Sequence, residues 1–375
     1  MINGYFHKKY ESVYNEFKKS FEIGSELGAS FSVYKKGQPL IDLYGGYRNK
    51  KKTLKWNKNT IVNVHSTGKG LVAMCISILI DRGLLELNEK VSKYWPEFKS
   101  NNKENILIRD LLSHQAGLYG WVKSMKEEDL YDWDYCTKLL ARQKPFHKLR
   151  EETCYHAKTI GFLSGELVRK ITGKSLGQYL KDEIVGEENL LAFIGTPVEY
   201  HQLISEITIY EDTLRKKVYK NKSDKYVSLA FNNPPSSIKT YQTKQWKTSE
   251  IPSLNCYSNA NSLARIYDTF VNTNNNSNSL ISNKTLVEVT KIESDRMDYI
   301  MRLPIKWSPV GFIIDGGDLF GTNKNSFGHT GSGGSVAFGD PDLGIGVAYT
   351  MNSFSNSLVG DKRARNLIKA LYECI

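Results

Sequence analysis

Strand-forming patterns gather at the two ends of this chain and leave the middle almost without them, and that distribution restricts the fold more than any other feature. The stretch "ASFSVYKKGQPLIDLYGGYR", residues 29–48, has alternating β-formers on either side of a Gly and Pro turn, the pattern of an antiparallel hairpin. "SVAFGDPDLGIGVAYTMN", residues 335–352, repeats it with runs 335–338 and 345–351 around "GDPDLG". Between them, "IRDLLSHQAGL", "YDWDYCTKLLARQ", "TIGFLSGELVRKITG" and "SLARIYDTFV" space their apolar residues as helices do, with Gly173 as a helix stop. Tyr10, Tyr14, Phe17 and Phe21 mark an amphipathic helix near the start, and an extended segment covers residues 61–64. The expected fold is therefore α/β (α+β): one antiparallel sheet formed by the N- and C-terminal parts of the chain, flanked by helices, with a mostly helical inserted subdomain. A doubly wound parallel sheet would need strands and helices to alternate throughout. Residues 1–95 plus 284–375 are read as the sheet-containing subdomain and residues 96–283 as the insertion, together one catalytic unit with the site between them. The polar stretch "NTNNNSNSLISN", residues 272–283, reads as an exposed loop.

Several functional classes are disfavoured. The longest apolar run, residues 71–80, ends at Asp81-Arg82 and falls short of the about 20 residues a bilayer span needs. Nothing near the start has the apolar core of a signal peptide, so the cytoplasm is the expected location and no membrane partner is anticipated. Five scattered cysteines without a CxxC pair argue for free thiols rather than disulfides or a zinc ribbon. The net charge of +11 is spread along the chain apart from residues 50–52, with no basic stripe interleaved with aromatics, so it reads as a solvated lysine-rich surface and not a nucleic-acid site. No His-Glu-x-x-His occurs, so no metal is expected, and no Gly-x-Ser-x-Gly marks an α/β-hydrolase. "ITGKS" has Val168 where a phosphate loop needs its first glycine, which leaves no ATP site and no cofactor.

Chemistry enters with "VNVHSTGKGLVAMCISILIDRG", where Ser66 and Lys69 share a face at the start of a helical run. Serine is a poor nucleophile without a base, and lysine becomes a base only where its ammonium is destabilised, by burial or by a helix N-terminus. Alone, the pair also describes an ordinary helix cap and an ordinary surface lysine. Three further stretches follow in order: "LLSHQAGL", "ETCYHAKTIGFLSGELVRKITGKSLGQYL" and "FGHTGSGGSVAFGDPDLGIGVAYTMN".

Together these stretches resemble the serine β-lactamase and penicillin-binding-protein superfamily, in its class C-like branch of esterases and β-lactamase-domain proteins, over residues 28–352. The resemblance implies a β-lactamase/transpeptidase-like fold, with Ser66 as acyl-accepting nucleophile, Lys69 as its proton-handling partner and Tyr155 as the tyrosine of the second element. The backbone N–H groups of Ser66 and Ser332 would form the oxyanion hole, and His329, Thr330 and Gly331 would form the third, substrate-binding element. Ala157 replaces the usual Asn and His329 the usual Lys, both similar to the esterase side. The implied reaction is acyl-enzyme hydrolysis of a small ester or amide. A D-amino-acid peptidase, a β-lactamase and an acyltransferase are alternatives of the same fold, and a catalytically silent scaffold is the alternative outside it.

Further expectations can be checked against the structure. Tyr155, held near two cations, should ionise more readily than a free phenol. Gly331, Gly333 and Gly334 should let substrate approach a glycine-rich strand, and the loops at 121–133 and 251–257 should wall the pocket. His114 is assigned a structural hydrogen-bonding role. His329, with a reference pKa of about 6.5, should be mostly neutral at pH 7 and favour uncharged esters over carboxylate-bearing β-lactams. The oligomeric state stays open.

Overall fold

Nine antiparallel strands form one sheet whose two halves come from opposite ends of the chain. In this computed structural model, which describes residues 2–186, 190–210, 224–273, 279–315 and 317–375, the first half comprises β1 (Ile2–Phe6), β2 (Gly28–Lys35) and β3 (Gln38–Gly46). The second comprises β4 (Ser294–Met297), β5 (Pro304–Trp307), β6 (Ile313–Ile314), β7 (Phe327–Thr330), β8 (Val336–Asp340) and β9 (Ile345–Met351). Their order is β1-β3-β2-β9-β8-β7-β6-β5-β4. The seam is β2 against β9, with Phe31 opposite Tyr349 and Val33 opposite Val347. The β2–β3 turn is tight because Lys36 and Gly37 both take positive φ, 50° and 77°, which matches the twist of a two-residue hairpin. The Asp268 carboxylate accepts from both of their amides, at 2.8 and 2.6 Å.

The five longest helices among the described residues are α1 (Glu11–Glu22), α2 (Lys69–Asp81), α3 (Thr159–Thr172), α4 (Ala260–Val271) and α5 (Lys362–Tyr372). β2 and β9 are buried almost end to end, which requires cover on both faces. α4, although it falls within the span read as the insertion, lies directly on the sheet. The small side chains of Ser30, Ser32, Gly346 and Ala348 let it approach, and a Cβ on Gly346 would stand 2.1 Å from the Ala264 carbonyl. α1 and α5 pack against each other. α5 is tied to the opposite sheet face, where Tyr349 meets Glu26 and Arg363. α2 is apolar all round and its residues 69–79 are buried, as befits a core helix. α3 ends at Gly173, whose φ of 73° closes it as expected.

The structure departs from the sequence reading in several places. β1 was not expected, because an exposed edge strand carries no burial alternation. β4 to β7 were also missed: none exceeds four residues, too few to display a period of two. The extended segment expected at residues 61–64 supplies Val62–Asn63 to a small three-stranded sheet whose other strands, Cys256–Ser258 in the centre and Ala192–Ile194 at the far edge, lie in the span read as helical. Within the stretch expected as an exposed loop, residues 274–278 lie outside the described residues, but Ile281 is 2% exposed and Ser282 caps a helix, Asn283–Thr290. Among the described residues, no helix is long and apolar enough to cross a membrane and no cluster could hold a metal ion.

Candidate active site

Ser66 lies not in the α-helix but in the 3₁₀ turn His65–Gly68 that leads into it, and Lys69 is the first residue of α2. The turn is crowded. A Cβ on Gly68 would stand 2.3 Å from that of Cys256, so glycine is required for this approach. His65 takes a left-handed φ of 47° and is held by its amide, which donates to Asn63 Oδ1 at 3.0 Å. Its ring packs edge-on against Tyr241 and Phe354.

The buried Lys69 side chain places Nζ 2.8 Å from Ser66 Oγ and 2.9 Å from the Ser253 carbonyl. An ammonium carries three donors, and two acceptors face it among the described residues. Burial holds its pKa well below the ordinary lysine value of 10.5, so the amine is driven toward the neutral form that can take a proton from Ser66.

Tyr155 is set by its surroundings on every side. Its ring stacks on Trp307 at 5.7 Å and 8°, meets His114 edge-on at 5.3 Å and tilts over His329 at 6.1 Å. Its amide donates to Asp298 Oδ1 at 3.2 Å, and the same oxygen accepts from the amides of Ile300 and Met301. Lys69 Nζ lies 5.1 Å from the centre of the ring. Here an expectation is corrected. The phenol is pushed above its ordinary value of 10.0, chiefly by burial and also by Asp298, with a hydrogen bond to Ser66 opposing. The anticipated help from two cations fails because Lys69 is itself driven neutral and His329 carries no charge. Tyr155 therefore holds its proton.

His329 is 2% exposed, and burial followed by the proximity of Lys69 lowers its pKa to about 3. Its Nδ1 faces the Thr330 carbonyl at 2.7 Å and so carries the proton, which leaves Nε2 an acceptor without a partner among the described residues. His156 is neutral for the same reason: Nδ1 donates to the Cys154 carbonyl at 2.6 Å and Nε2 accepts from the Leu118 amide at 3.0 Å. His114 accepts from the His156 amide at 3.1 Å, the structural role expected of it. Ala157, in the place of the usual Asn, is buried and offers no polar side-chain group.

The third element is a strand followed by a turn rather than one glycine-rich strand. β7 ends at Thr330, residues 331–334 turn, and β8 begins at Val336. The glycines serve packing: a Cβ on Gly331 would stand 2.2 Å from the Val64 carbonyl, and Gly333 and Gly334 have φ of 95° and 127°. Ser335 joins this turn to the Ser66 turn, since its hydroxyl lies 2.9 Å from both the Val64 carbonyl and Thr67 Oγ1. Among the described residues neither the Ser66 nor the Ser332 amide donates a hydrogen bond, as an oxyanion site requires.

A family model described as Beta-lactamase matches residues 16–372 of this chain. The chain belongs to the beta-lactamase family. Within the family it is similar to the Esterase/beta-lactamase LipL of Mycobacterium tuberculosis, 28% identical over 354 residues that make up 88% of this chain and 78% of that protein. The crystal structure of a family VIII carboxylesterase superposes with a TM-score of 0.92 at 32% identity, covering all of both chains. A penicillin-binding-protein homologue from Caulobacter crescentus superposes at 0.91 with 29% identity, again over all of both chains.

For this beta-lactamase-family chain, the structure adds Ser253, Asp298, Trp307 and Ser335 around the residues named from sequence. Ser253 lies in the loop 251–257 expected to wall the pocket and Ser335 opens the strand run that follows the third element, but the sequence reading gave none of the four a role. Ser253 acts through a backbone carbonyl, which any residue type supplies, and Asp298 and Trp307 lie in the stretch whose short strands gave no pattern. Trp121, at one end of an expected pocket wall, is instead fully buried, with Nε1 donating to the Cys136 carbonyl at 3.2 Å.

Proposed function

We propose that this chain is a serine hydrolase that cleaves small uncharged esters or amides through an acyl-enzyme on Ser66. The observation that carries the reading is the contact of 2.8 Å between Ser66 Oγ and a buried lysine amine that makes no ion pair among the described residues. The Ser66 hydroxyl proton passes to Lys69 as Oγ attacks the substrate carbonyl. The tetrahedral oxyanion is held by the Ser66 and Ser332 amides. Tyr155 gives its proton to the departing alkoxide or amine and regains one from Lys69. Neutral Lys69 then accepts a proton from the water that attacks the acyl-enzyme and returns it to Ser66 Oγ as the acid leaves, which restores both residues.

The residues 1–95 and 284–375 and the span 96–283 act in this scheme as one catalytic unit. The first part supplies Ser66, Lys69 and Ser332, and the second supplies Tyr155 and the Ser253 carbonyl. Preference for uncharged substrates is supported by the neutral His329 and the apolar Ala157, neither of which offers a carboxylate a permanent cation. The free thiols of all five cysteines fit a reducing compartment. Labelling with a fluorophosphonate and mapping the modified peptide tests the assignment. Label is expected on Ser66, and Ser66→Ala should abolish both labelling and ester turnover in a folded protein. Label on another serine refutes it.

A further inference from the structure

Behind the turn that carries the Ser332 amide lies a buried ionic cluster that the scheme above does not use. Its centre is Arg363, in the first turn of α5 and 7% exposed. All five guanidinium N–H groups have acceptors. Nε donates to Asp361 Oδ1 at 2.9 Å, Nη1 to the carbonyls of Ser25 and Ser353 at 2.9 and 2.8 Å, and Nη2 to Asp361 Oδ2 at 3.0 Å and the Gly333 carbonyl at 3.2 Å. Glu26 Oε2 lies 3.2 Å from Nη1, and the Tyr349 hydroxyl bonds the other Glu26 oxygen. The Ser355 hydroxyl in turn bonds Asp361.

This cluster grips the turn from one side. The Gly333 carbonyl accepts from Arg363 and also from the Ser355 amide at 2.9 Å, while the Gly333 amide donates to the Ser357 carbonyl at 3.1 Å. From the other side, the Gly331 amide donates to the Ser335 carbonyl at 2.8 Å, and Ser335 is tied to Val64 and Thr67 of the nucleophile turn. Ser332 is suspended between these two anchors. Packing leaves no slack around them, since a Cβ on Gly333 would stand 2.5 Å from the Phe354 ring and one on Gly334 2.7 Å from Asp361.

We propose that Arg363 is a positioning residue for the oxyanion site, fixing Gly333 and thereby the direction in which the Ser332 N–H points. The inference rests on the proposed roles of Ser66 and the Ser332 amide and adds what aims that amide. Burying an arginine with two carboxylates is costly, and a planar five-donor fork is what can hold Asp361 and the Gly333 carbonyl at once. Lysine keeps the charge but has three donors from a single point, so Arg363→Lys should let the turn drift.

The test compares kcat per fluorophosphonate-labelled site, KM for a p-nitrophenyl ester, and Ki for phenylboronic acid, whose tetrahedral serine adduct places an oxygen in the oxyanion site. Loss of a whole oxyanion donor costs about 100- to 1,000-fold in kcat, so a misaimed one should cost about tenfold or more. In Arg363→Lys, kcat per labelled site should fall and the boronate Ki rise together while KM holds. Ser355→Ala, which removes one bond to Asp361, should show a smaller change of the same sign and decides the matter if the lysine variant does not fold. A folded variant with unchanged kcat per site and unchanged boronate Ki overturns the inference alone. Failure of the unsubstituted protein to label at Ser66 overturns the proposed function and this inference with it.

Discussion

Replacing Lys69 with methionine should separate catalysis from stability, because the amine proposed to activate Ser66 is expensive to bury. Methionine keeps an unbranched chain in the same core position of α2 and removes only the amine. Loss of a general base typically costs about 100- to 10,000-fold, which is about 2.7 to 5.4 kcal/mol of barrier at about 1.36 kcal/mol per tenfold. Stability should move differently. In the unfolded chain the lysine titrates near 10.5, whereas in the native state burial holds it well below that value. At pH values between the two, the unfolded chain binds a proton that the native protein does not. Native stability therefore rises with pH toward 10.5 and falls as the pH drops, until the native amine is itself protonated. Lys69→Met removes this contribution, so the variant should melt no lower than the parent at pH 7 and with a shallower dependence on pH. The Ser253 carbonyl loses a donor, a cost of about 1 to 3 kcal/mol that offsets part of the gain. Ester turnover by stopped assay, together with calorimetric melting from pH 6 to 9, provides both readouts. A kcat within tenfold of the parent, or an unaltered pH dependence of melting, would refute the reasoning.

Two more outcomes follow from the site. Tyr155→Phe keeps the stack on Trp307 and removes the proposed proton donor, so kcat should fall by about 100- to 10,000-fold with KM little changed, as steady-state kinetics on a p-nitrophenyl ester would show. The unsubstituted protein should process that neutral ester more efficiently than a carboxylate-bearing chromogenic cephalosporin. His329→Lys should shift the ratio of the two kcat/KM values toward the cephalosporin, and it should lower the melting temperature because a second lysine amine would lose its water in the buried position beside Lys69. The opposite order of efficiencies in the parent would count against the role given to the neutral His329.

What the sequence determined by itself was local. The β2–β3 and β8–β9 hairpins, the amphipathic α1, the apolar α2 and the stop at Gly173 were legible because alternation, helical spacing and turn residues act over a few positions. Ser66 and Lys69 were legible for the same reason, since three residues at the entry to a helix hold two side chains together whatever surrounds them. Their contact at 2.8 Å needs no distant partner. The tertiary structure decided the rest. Lys69 finds its second acceptor at Ser253, and Tyr155 takes its orientation from Asp298 and Trp307, all far away in the chain. The protonation of Tyr155 was misjudged from sequence, because a count of neighbouring charges omits the loss of water around the phenol. Burial sets the charge states of Lys69, Tyr155 and His329 alike, and burial is a property of how the two ends of the chain close around the middle. No stretch of residues carries it alone.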